Sequence, residues 1–197
     1  NPENAKLVAM GQTTPEEPLW DLPDNLGEVT SYSDYQKMLA EVKPDVAVVS
    51  TGLDQINQAA VDAAEAGCNI ICEKPIAASF DQLHNLYQAV KSNDVNCILL
   101  LDNREDPYFQ AVRSVVQSGV IGEVVMVNAR KSYPWSEDRI EKFPIEYGGT
   151  IGWVGIHALD FINGTTGLTF NKVSGMESNQ IDPDFAHDRM GCGARRD

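Results

Sequence analysis

The chain has 197 residues, 43% of them hydrophobic, and sets 29 acidic against 15 basic side chains for a formal net charge of -14. That length buries one full core or two modest ones, and the acidic excess offers no basic field to a phosphate backbone or an anionic membrane, so neither nucleic acid nor membrane is an expected partner. The longest apolar runs, such as 97–101, fall far short of the roughly 20 residues of a bilayer span.

Ala5 to Met10 reads as a short strand, and Pro15, Pro18 and Pro23 exclude a continuous helix from the loop that follows. Asp34 to Val42 predicts a helix closed by Pro44. The run Asp45 to Val49 is β-branched without polar alternation, the pattern of a strand covered on both faces. Gln55 to Ala66 predicts an alanine-rich helix ended by Gly67. Asn69 to Cys72 is the next strand, Ser79 caps a helix to about Lys91, and Asn96 to Leu101 is a further strand.

Strand and helix alternating at this spacing imply right-handed crossovers and a parallel sheet. Pro107 to Ser118 adds a helix, and Glu123 to Ser132 predicts a longer strand whose partial alternation suits a half-exposed sheet. A loop with Tyr133, Trp135, Asp138, Arg139 and Tyr147 leads to Gly148-Gly149, a helical segment carrying His157 and Asp160, and a strand over Thr169 to Ser178. The expected fold class is α/β. A partial Rossmann-like domain with a parallel sheet spans 1–104, and a linking helix with the start of an α+β domain, its sheet open and mostly antiparallel, spans 105–197.

The four cysteines, Cys68, Cys72, Cys97 and Cys192, lack zinc-type Cys-x-x-Cys pairing, and three lie in or beside apolar strands as buried small hydrophobes do. A reducing, cytoplasmic location is expected, with any leader lying upstream of Asn1. His84 and His187 read as surface residues, and no metal site is expected.

Glu73-Lys74-Pro75 stands directly behind the strand 69–72, and in doubly wound domains the carboxyl ends of strands face the ligand crevice. A lysine that holds an oxyanion and a histidine that moves a proton are what alcohol–carbonyl redox chemistry needs. Taken singly, each has an ordinary alternative, the lysine as a solvated loop residue and His157 as a hydrogen-bonded core or helix-surface histidine. Asp160 either orients His157 or ends its helix.

Five anchors occur in order: Ser50-Thr51, Glu73-Lys74-Pro75, Asn103-Arg104-x-x-Pro107, Gly119-x-Ile121-Gly122, and Gly148-Gly149 followed by Gly155-x-His157-x-x-Asp160. Together they resemble the Gfo/Idh/MocA family of NAD(P)-dependent oxidoreductases, over about Ala5 to Ser178. The resemblance implies hydride transfer between NAD or NADP and a sugar, polyol or related hydroxy compound, with Lys74 and His157 as the catalytic pair. It assigns Ser50, Thr51, Glu73, Lys74, Pro75 and Asn103 to the cofactor side. Trp135, Arg139, Trp153 and Asp160 are the candidate substrate-binding residues. Lys74-Pro75 is a candidate cis peptide, and a homo-oligomer is expected for the complete protein.

The departures from that pattern carry expectations too. No Gly-x-Gly-x-x-Gly turn for a pyrophosphate occurs, so the chain is expected to begin after it and to leave strands with unpaired edges. No acidic residue follows the first strand, where Met10-Gly11-Gln12-Thr13 stand, which leaves NADP open beside NAD. Trp153 occupies the place one turn before His157 where the family sets an aspartate, and on a regular helix its indole covers the imidazole. The alternative function is a non-catalytic ligand-binding or regulatory relative, or a decayed copy, without the cofactor cradle. A cofactor-assisted glycosidase shares the same motifs.

Overall fold

The computed structural model describes residues 5–14, 28–133, 151–178 and 190–191, in two compact units, Asn1–Leu100 and Leu101–Asp197. In the first unit β1 (Ala9–Gly11) pairs in parallel with β2 (Thr30–Tyr32). Helix α1 (Tyr35–Val42) begins where the Asp34 carboxylate accepts from the amides of Gln36 and Lys37 at 2.8 and 3.3 Å. It stops at Lys43, which adopts the left-handed conformation before Pro44. Gly11 permits β1 to lie against this helix, since a Cβ there would sit 2.7 Å from the Tyr35 Cα.

A second parallel sheet has the order β3 (Val46–Val49), β4 (Asn69–Cys72), β5 (Cys97–Leu99). The crossovers are α2 (Ile56–Glu65) and α3 (Phe80–Ser92). α2 buries Ile56, Asn57, Ala59, Ala60, Ala63 and Ala64, a helical face of mostly small residues that brings its backbone close to the sheet. The Ser79 hydroxyl caps α3 by accepting from the Gln82 amide at 3.2 Å. The core joins Ala47, Val49, Ile70 and Cys72 of the sheet to Leu39, the α2 alanines, Leu86 and Ala89. Ile70 is 1% exposed, and full burial of a side chain of that size contributes about 1.5–3 kcal/mol.

Two expectations for β3 meet different outcomes. Its unpaired edge is as expected: among the described residues β3 pairs only with β4 and β1 only with β2. An apolar groove of about 640 Å³ runs between them, lined by Val8, Met10, Met38, Ala47, Val49 and Ala59. Coverage on both faces is not observed, because Val46 and Val48 are 46% and 70% exposed. The unit's helices pack on the face of Ala47 and Val49. On the other face register aligns Val48 with Ile71 and Ile98 in an open apolar row, which continuous apolarity in a sequence does not distinguish from a buried one.

The second unit opens on a 3-10 turn, Asp102–Glu105, followed by α4 (Pro107–Gln117). The Asp106 carboxylate accepts from the Tyr108 amide at 2.7 Å, and Pro107 takes the first helical position. A π-helical turn, Ile151–Gly155, runs into α5 (Ile156–Thr166). Phe109 meets Phe161 edge to face, with centroids 5.3 Å apart. β6 (Glu177–Ser178) pairs antiparallel with β7 (Met190–Gly191).

The long strand expected over 123–132 is absent: residues 124–133 carry no ladder among the described residues, and Val125 and Met126 are 95% and 86% exposed. Alternation alone, without a partner edge among the described residues, does not make a strand. Of the strand expected over 169–178 only Glu177–Ser178 forms.

Candidate active site

In the first unit the parallel register sets Val49 beside Cys72, so Ser50-Thr51 and Glu73-Lys74-Pro75 leave adjacent strands at the same carboxyl edge. The Glu73 amide donates to the Val49 carbonyl at 2.9 Å and the Lys74 amide to its neighbour's Glu73 carboxylate at 3.2 Å. The Lys74-Pro75 peptide is cis, as the sequence suggested. The Thr13 and Thr51 hydroxyls lie 2.9 Å apart, joining the loop behind β1 to the loop behind β3. Glu73, Lys74 and Pro75 are half-buried and Ser50 is exposed.

The segment after Pro75 is held from below by a residue the sequence reading passed over. Asn57 is 7% exposed, and its side-chain amide donates to the carbonyls of Ile76 at 3.0 Å and Gln82 at 3.2 Å. One polar residue inside the alanine face of α2 was the available signal, since a buried amide needs partners. Cys72, next to Glu73, is no nucleophile. Burial first, then the neighbouring Cys97 and Glu73, push its thiol up to about 12 and keep it protonated.

In the second unit two adjacent residues of the 3-10 turn grip two residues of α5 one turn apart. The Asn103 amide nitrogen stands 3.0 Å from His157 Nδ1. Arg104 Nε donates to both Asp160 oxygens at 2.9 and 3.0 Å, and the Gln110 amide donates to the Arg104 carbonyl, steadying the turn. His157 and Asp160 are 6% and 8% exposed. The hydrogen bond to Asp160 raises the Arg104 pKa against the effect of burial. Tyr133 meets the His157 ring edge-on, with centroids 6.2 Å apart.

Of the expected residues in this unit, Asn103, His157 and Asp160 therefore share one cluster, and Arg104 joins it. Asp160 is engaged by Arg104, and Asn103 stands against the imidazole. Trp153 stands in the π-helical turn, so the regular helical stacking assumed between 153 and 157 does not apply. Trp135, Arg139 and Gly148-Gly149 lie outside the described residues.

This arrangement matches known proteins along almost its whole length. Residues 3–100 match the family described as the GFO/IDH/MocA oxidoreductase family with an NAD-binding Rossmann fold, and residues 109–193 match a GFO/IDH/MocA C-terminal domain. A levoglucosan dehydrogenase from Pseudarthrobacter phenanthrenivorans is 28% identical over 79% of this chain and 41% of its own length. A D-glucoside 3-dehydrogenase from Escherichia coli is 30% identical over 71% and 40%. A galactose/lactose metabolism regulatory protein from Saccharomyces cerevisiae is 25% identical over 62% and 30%. The chain spans less than half the length of these curated relatives. Among solved structures, a Thermotoga maritima chain classed as an oxidoreductase superposes with a TM-score of 0.81 at 29% identity, covering 96% of this chain and 59% of that one. The chain belongs to the Gfo/Idh/MocA oxidoreductase family.

Proposed function

We propose that this family member takes part in NAD(P)-dependent interconversion of a hydroxyl and a carbonyl on a sugar, polyol or related hydroxy compound. The observation that carries the reading is the buried His157, held at Nδ1 by Asn103 on a helix fastened by the Arg104–Asp160 pair. A buried imidazole fixed through one nitrogen is suited to move a proton through the other.

Ser50, Thr51, Glu73 and Pro75 fit the edge of a dinucleotide, since two adjacent strands deliver them to one carboxyl end. A dinucleotide held there would supply the hydride acceptor for oxidation and the hydride donor for reduction. In the oxidising direction His157 takes the hydroxyl proton and the Lys74 ammonium stabilises the developing alkoxide. In reduction the same groups return the proton to the carbonyl oxygen. The uncharged loop Gln12-Thr13-Thr14 favours neither ribose, so NAD and NADP both remain candidates.

Relatives named for levoglucosan, glucosides and inositol support a polyhydroxylated substrate. Trp135, Arg139, Trp153 and Asp160 were the residues expected to bind it. The Asp160 carboxylate, taken up by Arg104, serves in this reading as a fastening. A cytoplasmic homo-oligomer, with 1–104 as dinucleotide domain and 105–197 as part of the substrate domain, completes the proposal. Light scattering checks the assembly.

A non-catalytic regulatory relative is the second reading, favoured by the regulatory protein among the similar chains and by Trp153 in the aspartate's place. Fluorescence titration with NADH and NADPH separates the two. Saturable binding of either supports the enzyme, and binding of neither supports the regulator.

A further inference from the structure

We propose that Asn103 is a positioning residue for His157, holding Nδ1 in both protonation states of the ring so that proton exchange is confined to Nε2. The inference rests on the reading of His157 given above and adds a role that the cofactor-side assignment of Asn103 does not contain.

A carboxamide carries a donor on one side and an acceptor on the other, and a half-turn exchanges them. With the amide nitrogen toward Nδ1, at the observed 3.0 Å, the neutral ring accepts there and carries its proton on Nε2. In this tautomer Nε2 donates a hydrogen bond to a substrate oxygen and has no lone pair with which to take a proton. With the amide oxygen toward Nδ1, the ring donates Nδ1–H and keeps a lone pair on Nε2. This form accepts a hydroxyl proton during oxidation, and the resulting imidazolium keeps the same Nδ1–H bond and is the acid that returns the proton to a carbonyl oxygen in reduction.

A carboxylate in this place serves the second form only, and its charge favours the imidazolium. The carboxylate that α5 does carry nearby, Asp160, is neutralised by Arg104. Asn103 and Arg104 are consecutive on the 3-10 turn, so His157 receives the neutral amide while Asp160 receives the cation. The edge of Tyr133 also meets the ring, and the face of Tyr133 is covered by the Lys131 ammonium at 5.2 Å. The ring thus meets at Nδ1 an uncharged partner whose amide oxygen accepts from Nδ1–H in both the neutral ring and the imidazolium, without the charge that would fix the cation.

The test is the nitrogen-15 spectrum of labelled histidine. The chain holds three histidines, so a His157→Gln variant assigns the ring directly. The parent and two near-isosteric variants, Asn103→Leu and Asn103→Asp, are titrated. Asn103→Leu is expected to move the Nδ1 resonance and the tautomer ratio toward those of free histidine, and to lower kcat at least about tenfold while KM changes little. Asn103→Asp is expected to fix the Nδ1–H tautomer, raise the His157 pKa by about one unit or more, and move the acid limb of the oxidation profile to higher pH. Ring resonances and pKa unchanged from the parent in both variants overturn the proposal. The spectra read this contact whether or not His157 proves catalytic, and full turnover in His157→Gln is the separate result that removes the catalytic reading.

Discussion

Arg104 and Asp160, 56 positions apart, form a forked ion pair in which the carboxylate is 7% exposed and the guanidinium 44%. The pair ties the start of the second unit to α5 at the turn following His157. Removing one partner of a fully buried pair costs about 3–5 kcal/mol, and the exposure of Arg104 lowers that figure.

Arg104→Ala is therefore expected to destabilise the second unit by about 2 kcal/mol, because it strands a buried carboxylate. Arg104→Lys recovers only part of the loss, since an ammonium cannot reproduce the fork. Urea denaturation followed by fluorescence measures both. Equal stability of all three proteins contradicts the role given to the pair.

Asn57→Leu should remove the buried side-chain amide that bridges the part-buried carbonyls of Ile76 and Gln82. A cost of about 0.5–1.5 kcal/mol per lost bond is expected. Backbone amide exchange is expected to accelerate over 74–79, while α1 keeps its protection. Uniform protection across the first unit would instead place the Asn57 contacts outside the support of the Lys74 loop.

The sequence showed the elements whose causes are local. Asp34 and Ser79 cap their helices as their side chains allow, and the apolar run 69–72 ends in Glu73-Lys74-Pro75 at the carboxyl edge of a parallel strand. Interactions that depend on distant partners were not visible. Asn103 reaches His157 across 54 positions, so the reading placed Asn103 beside the cofactor and left the partner of Asp160 open. Residues 123–132 alternate enough to suggest a strand, but pairing needs an edge that a local pattern cannot supply. The adjacency of Asn103 and Arg104, opposite a histidine and an acid three apart on a helix, was the one signal that could have indicated the clamp.

Gly164 lies where α4 and α5 pack, and a Cβ there would stand 2.6 Å from the Phe109 ring. Gly164→Ala gains up to about 1 kcal/mol of helix propensity but overpacks the contact by about 1–3 kcal/mol. Net destabilisation is expected, relieved by Phe109→Leu in the same chain. Thermal melts of the single and double variants decide it, and a stabilised Gly164→Ala contradicts the packing.

Asp62 accepts hydrogen bonds from the Tyr35 hydroxyl at 2.6 Å and from the amides of Gln36 and Gln58 at 2.7 Å. Burial acts to raise its pKa, and the three bonds outweigh burial to hold it below the ordinary 3.8. Burial and this carboxylate push the Tyr35 phenol up to about 12. A depressed carboxylate stabilises the fold above its unfolded pKa and loses that contribution as pH falls through the folded value. A raised phenol stabilises below about pH 10 and loses its contribution as pH rises through about 12. The difference in Tm between the parent and Asp62→Asn should thus be larger at pH 7 than at pH 3. A pH-independent difference contradicts the linkage.

The most direct test of the central claim is a double-mutant cycle on turnover with Lys74→Ala and His157→Ala, read alongside dinucleotide affinity. Each single change is expected to lower kcat by about 10²-fold or more with cofactor Kd nearly unchanged, and the double variant should lose little beyond the worse single one, as groups serving one step do. Turnover unchanged in either single variant, or losses that simply multiply, would contradict the assignment of both residues to one proton transfer.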